Sequence, residues 1–169
     1  MAEKKPIANY DGQLKELQSG DTIAGADNGV ITKSKSGDES VTSSTTVQND
    51  DHLIVPLGAN ETWLIQFDLF IIVGASTNFK WKLVVPSGAS ASGQIKHGNA
   101  NAVSEITDAT SENTLTMGVF ASSQGHVTIF AKVTTSSTAG NVQLQWAQGT
   151  SSGTALTVKS RSKMLAIRE

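Results

Sequence analysis

The sequence contains no cysteine, so disulfide bridges and thiolate metal sites are excluded and nothing marks a redox compartment. Aromatic residues make up only 5%, with a single tyrosine. Neither sign of charge dominates: 13 Lys and Arg face 15 Asp and Glu, a net charge of -2, which gives no general attraction to nucleic acid or anionic lipid. The longest apolar run, Leu69 to Val73, is far too short to span a bilayer. The opening "MAEKKPIANYDG" has basic residues with no apolar stretch behind them, so no secretory signal is expected. A soluble protein made in a cytoplasm is the expectation, with its final location a separate question.

Catalytic and cofactor signatures are scarce too. The patterns GxSxG, GxxxxGK[ST] and GxGxxG are absent. The histidines His52, His97 and His126 lie far apart with no HxH or HxxxH spacing, so no metal site is expected. Glycan hydrolysis needs two carboxylates facing each other across a cleft. Asp68 is the strand-borne candidate; Glu61, Glu105, Asp108 and Glu112 lie at strand edges or in loops and read as solvated surface charges. "QNDDH" fits no calcium loop and reads as a turn whose Asp and Asn accept local backbone bonds. No catalytic residue, cofactor or metal is expected, and an enzyme ranks last among the readings.

What is present is a period of two. At 169 residues with 38% hydrophobic content, one domain with a short extension is expected. In "WLIQFDLFIIV" the residues Trp63, Ile65, Phe67, Leu69, Ile71 and Val73 share one face, a pattern no helix explains and a pleated strand does. Phe79, Trp81, Leu83 and Val85 repeat it with Lys80 and Lys82 pointing out, so residues 61 to 88 are expected to form a hairpin of two core strands. All three tryptophans fall on inward parities. Further strands are expected in "NGVITKS", "SVTSSTTVQ", "HLIVPL", "TLTMGVF", "HVTIFAKV", "NVQLQWAQ", "TALTVKS" and "KMLAIRE", separated by turn-rich stretches. That spacing indicates an all-β sandwich or barrel. Residues 86 to 112 read as the one long irregular connection, either a surface crossover or a partner-contacting loop.

The two ends read differently. In residues 1 to 26, "YDGQLKELQSGDTI" puts Tyr10, Leu14 and Leu17 at helical spacing for a turn or two. This segment is either a leader strapped to the domain or an anchor whose Tyr and Leu side chains dock on a partner. At the other end, Lys159, Arg161 and Lys163 would share one face of an extended segment. An edge strand shielded by charge is the favoured explanation, a contact with an acidic neighbour the alternative. Interleaved aromatics for nucleic-acid binding are missing.

Several stretches resemble structural proteins of tailed bacteriophages. "SVTSSTTVQNDDHLIVPLGANETWLIQFDLFI" resembles a recurring virion segment, and "FKWKLVVPSGA" its partner strand. "VQLQWAQGTSSGTALTVKSRSKMLAIRE" is similar to the ending of such a module, and "DGQLKELQSGDTI" to the lead-in segments of tail and fibre proteins. The resemblance covers residues 10 to 85 and 141 to 168. It implies a jelly-roll-like antiparallel β-sandwich over residues 27 to 169 behind an N-terminal arm of residues 1 to 26. It further implies a homotrimeric virion component, capsid decoration (cement) or short head fibre, that binds the major capsid protein or another virion protein. No triple-helical shaft or receptor-binding extension is recognisable, which tilts the reading away from a long fibre. The alternative is a tail-fibre or baseplate adsorption module binding a host-surface glycan; neither nucleic acid nor membrane is an expected partner. Leu64, Phe70 and Ile72 make the second face of the long strand more apolar than one sandwich needs, so trimerisation is expected to cover it. The candidate contact residues are therefore Tyr10, Leu14, Leu17, Leu64, Phe70, Ile72, Lys159, Arg161 and Lys163.

Overall fold

The computed structural model describes residues 7–10, 13–16, 29–74, 77–97, 103–116 and 124–169. Two short strands stand first: β1 (Ile7–Tyr10) pairs antiparallel with β2 (Gln13–Glu16). The helical turn expected around Tyr10 and Leu14 is thus replaced by a hairpin, while Leu17 lies outside the described residues. Gly12 inside so short a segment leaves too few turns for a stable helix.

The remaining elements are β3 (Val30–Ser34), β4 (Glu39–Val41), β5 (Gln48–Leu57), β6 (Thr62–Ile72), β7 (Phe79–Val84), β8 (Ser90–His97), β9 (Val103–Ile106), β10 (Asn113–Leu115), β11 (Gln124–Thr134), β12 (Gly140–Gln148), β13 (Leu156–Val158) and β14 (Lys163–Arg168). They form two antiparallel sheets. The smaller runs β10-β7-β12-β5; the larger runs β3-β14-β6-β11-β8-β9, with β13 bridging β4 and β6. Strands β5 to β12 alone interleave as β5-β12-β7-β10 against β6-β11-β8-β9, the connectivity of two Greek keys wrapped into a jelly roll. The expected fold class holds.

The inward parity of the long strand is realised fully: Trp63, Ile65, Phe67, Leu69, Ile71 and Val73 are all buried. They meet Phe79, Trp81 and Leu83 from β7 and Val142, Leu144 and Trp146 from β12. The expected hairpin of β6 and β7 is wrong, however, because the two strands lie in opposite sheets. β6 pairs with β11, β13 and β14, while β7 pairs with β10 and β12. Two strands that face one core from opposite sides alternate just as hairpin partners do, so periodicity alone does not separate the cases.

The expected irregular connection of residues 86 to 112 also needs correcting. It contains β8 and β9, and β8 lies between β11 and β9 in the larger sheet. Its inward residues are Ala91, Gly93 and Ile95, and two of these are too small to register as an apolar alternation. Conversely, "SVTSSTTVQ" is a strand only at its ends, in β4 and at the start of β5. Of "TLTMGVF", Leu115 is buried in β10, whereas Met117 and Val119 lie outside the described residues.

"GANETW" is the corner that turns β5 into β6. Asn60 takes a left-handed conformation (φ 57), and its N–H bonds the carbonyl of Ser136 at 2.7 Å. The Glu61 carboxylate folds back to accept the Gly58 N–H and the Trp63 indole N–H, each at 2.8 Å, and Arg168 Nη1 at 3.0 Å. Glu61 is therefore an anchor for a core indole, in place of the free surface charge expected from its position. Any residue with a Cβ at position 58 would press that atom to 2.6 Å from this carboxyl group.

Candidate functional site

The two sheets differ on their outer faces. The smaller sheet turns Lys80, Lys82, Gln143 and Gln145 outward. The larger sheet turns out rows of side chains fixed by its ladders. One row runs Val30, Ile167, Leu64, Lys132, Ser92 from β3 to β8; the next runs Thr32, Leu165, Gln66, Phe130, Gln94, Glu105. Leu64 and Phe130 are each 46% exposed and Ile167 40%, side chains of a size that sheets normally cover. Together with Gln66, Gln94, Glu105 and Lys132 they line a groove of about 710 Å³. Lys132 at its margin is paired to Glu169 at 2.8 Å.

Of the expected contact residues, Leu64 sits in the middle of this groove. Phe70 is half-buried at the far end of the same strand, capped by the Arg161 guanidinium 4.4 Å above its ring and flanked by His126 at 4.9 Å. Ile72 is half-buried where β6 meets β13. Tyr10 and Leu14 belong to the β1–β2 hairpin. Phe130 and Ile167, absent from the expected set, complete the patch. The signal for Phe130 was present: with Val127, Ile129, Ala131 and Val133 inward, its parity points outward.

Lys159, Arg161 and Lys163 do not share a face of one extended segment. β13 and β14 both run along β6, and residues 159 to 162 bulge between them, pinned by Lys159 N–H to the Phe70 carbonyl and by Phe70 N–H to Ser162 Oγ. Lys159 pairs with Asp38, Arg161 covers Phe70, and Lys163 stands opposite Asp68. Nor is β14 an edge, because β3 covers its other side. The Lys159 ammonium and the Ser160 N–H hold the Asp38 carboxyl below the usual range.

Of the carboxylates weighed for hydrolysis, Asp68, Asp108 and Glu112, like Glu61, have structural partners. Asp68 accepts from Gln66 Nε2 at 2.8 Å and Thr128 Oγ1 at 3.2 Å. Asp108 closes its own loop, taking the hydroxyls of Ser111 and Thr110 and the Thr110 N–H, which push its carboxyl down to about 2. Glu112 pairs with Lys80 at 3.1 Å.

A second constellation lies inside the fold, and the sequence pattern did not disclose it. Opposite Leu144 of β12, strand β5 carries the four-residue excursion 50–53, between the pairs Gln143↔Ile54 and Gln145↔Asn49. "QNDDH", expected as a turn, is instead part of β5, with the irregularity inside the strand. Asp50 Oδ1 accepts the N–H groups of His52 and Leu53 at 3.1 and 3.0 Å, the local bonding expected of it. Asp50 Oδ2 accepts Trp146 Nε1 at 3.1 Å and Lys35 Nζ at 2.8 Å. Lys35 Nζ also reaches Glu39 Oε1 at 2.6 Å, and the side chains of Lys35 and Asp50 are wholly buried. Glu39 Oε1 accepts His52 Nδ1 at 2.9 Å, and the other ring nitrogen meets Ser36 Oγ at 2.7 Å. Ligand atoms of Glu39, Asp50 and His52 come within 4.8 Å of one another, close enough for a metal ion. The Lys35 ammonium already bonds both carboxylates there and supplies the positive charge a metal would bring.

No protein-family model matches the chain, and no curated protein matches it. Among solved structures, one likeness is to the tripod from the baseplate of bacteriophage Tuc2009, at a TM-score of 0.37 and 13% identity, covering 100% of this chain and 79% of that one. Another is to the structure of infectious bursal disease virus Gx strain, at a TM-score of 0.23 and 12% identity, covering 98% of this chain and 45% of that one. Scores this low carry no argument about the chain.

Proposed function

We propose that this chain is a structural protein of a tailed-bacteriophage virion, working as a trimeric capsid decoration or short head-fibre protein. The observation that carries the reading is the outer face of the larger sheet. Leu64, Phe130 and Ile167 lie uncovered there, on rigid strands whose other face is the core. Apolar side chains held so firmly in water favour association, and three copies meeting at this face around an axis would bury them. The N-terminal arm of residues 1 to 26, with Tyr10, Leu14 and Leu17, reaches a neighbouring virion protein in this reading. Each copy then adds a modest contact across capsomer boundaries, and many copies together stabilise the shell. The resemblance of "GANETW" and of the C-terminal stretch to phage modules supports the virion setting. The jelly-roll topology hosts many unrelated functions and is compatible with that setting.

Light scattering on the purified chain is expected to give the mass of a trimer, with saturable binding to expanded capsids. A monodisperse monomer that ignores capsids would refute the proposal. A second reading, a tail adsorption module, draws on the amides of Gln66 and Gln94 beside the Phe130 ring, since such groups serve sugar hydroxyls. A glycan-array signal lost on Gln94→Ala would favour it.

A further inference from the structure

We propose that Lys35 and Asp50 condense into an intramolecular amide, an isopeptide crosslink between the end of β3 and the excursion in β5, with Glu39 as the proton carrier. The reactants are already in contact. Lys35 Nζ stands 2.8 Å from Asp50 Oδ2, and both side chains have no exposure to water. Held this way, an amine and a carboxyl group react as though at very high concentration, and the enclosure removes the water that would compete.

Each part of the reaction has a group beside it. One proton passes from Nζ to the carboxyl group of Asp50 along their hydrogen bond, leaving a free amine and a carboxylic acid. The nitrogen lone pair attacks Cγ of Asp50, forming the C–N bond. The charge that develops on Oδ1 is met by the N–H groups of His52 and Leu53 at 3.1 and 3.0 Å, which makes Oδ1 the retained carbonyl oxygen. Glu39 Oε1, 2.6 Å from Nζ, takes the second proton from nitrogen and delivers it to Oδ2, and the C–Oδ2 bond breaks as water leaves. Trp146 Nε1–H, 3.1 Å from Oδ2, steadies the departing oxygen. An ammonium and a carboxylate become a neutral amide and one water, and Glu39 ends as it began. No oxidant or cofactor takes part.

A buried ion pair needs its remaining lone pairs and protons satisfied, and the N–H groups of His52, Leu53 and Trp146 do that here as well. Such pairs are weak stabilisers, and an apolar replacement often does as well. A third charged group placed on the lysine nitrogen, together with two backbone donors on the oxygen that must carry charge, is the equipment of acyl transfer. The half-buried His52 ring, joined to Glu39 at 2.9 Å, links the proton carrier towards the surface.

The test is the intact mass of the purified full chain, measured after denaturation. The expected value falls below the sequence mass by one water, and digestion is expected to release a branched peptide joining the segments that carry Lys35 and Asp50. Glu39→Gln, checked for folding by tryptophan fluorescence, is expected to keep the full sequence mass. A folded wild-type chain at full sequence mass, with no branched peptide, would leave the cluster an ion pair and overturn the proposal. A Glu39→Gln chain that still loses water would overturn the role given to Glu39. The wild-type measurement decides the crosslink whether or not the variant folds.

Discussion

Glu61 illustrates how a charged residue in this protein serves the core. Its carboxylate collects the Trp63 indole, the Gly58 N–H and Arg168, and these donors, the indole foremost, hold its pKa below the ordinary value of 4.5. A carboxyl group depressed in the folded state adds stability that is present above the unfolded value and lost as pH falls through the folded one. The native protein should therefore lose thermal stability on acidification below about pH 4.5. In Glu61→Gln the melting temperature should be lower at neutral pH and should fall less steeply through that window. Parallel melts at pH 7 and across pH 5 to 3 check both parts; an unchanged acid slope would mean that Glu61 is not the linked group. Nothing in the sequence marks Glu61 for this role, since "GANETW" reads equally as a solvated turn. The bond to Trp63 depends on Gly58 leaving room, which only the folded corner reveals.

At the scale of strands, β8 shows why small residues escape pattern reading. Its backbone comes so close to β11 that a Cβ at Gly93 would fall 1.8 Å from the Phe130 carbonyl oxygen. Glycine alone allows the approach, and it keeps β8 and β9 on the larger sheet. Gly93→Ala should destabilise the domain by about 3 kcal/mol or more, because the atom it meets is backbone and cannot move aside as a side chain would. Urea unfolding measures this; a cost under about 1 kcal/mol would mean that the strands part easily. The long strand gives the opposite case. Phe67, wholly buried on β6, should cost about 3–5 kcal/mol as Phe67→Ala by the same measurement. A loss much smaller than that would contradict the tightly packed interior. Phe67 was legible because large side chains at alternate positions declare a strand, whereas "SASGQIKH" declares only polarity.

For the molecule as a whole, the contrast between the two outer faces sets the expected behaviour in solution. The apolar groove on the larger sheet predicts association, and Leu64→Lys with Ile167→Lys should break it. Both side chains are exposed, so the double variant should stay folded, within about 1 kcal/mol of the parent. Sedimentation of the pair of proteins tests this. If the parent sediments as a trimer and the variant does too, the interface lies elsewhere, and residues 1 to 26 become the first place to look. The basic C-terminal stretch, by contrast, is occupied within its own chain by Asp38 and Phe70, which leaves less charge for a partner than its sequence implies.

Alternation by itself determined the fold class, the inward set from Trp63 to Val73 and the burial of all three indoles, because a pleat puts every second side chain on one face whatever it pairs with. The tertiary structure alone decided which strand lies in which sheet, that β14 is internal, and that Phe130 and Ile167 join Leu64. It also brought Lys35, Glu39, Asp50 and Trp146 together. Those outcomes depend on hydrogen-bond ladders and close approaches between residues far apart in the chain, such as Val30 with Ile167 across the β3–β14 ladder, or the 96 positions separating Asp50 from Trp146. A period of two carries no record of the partner across the ladder.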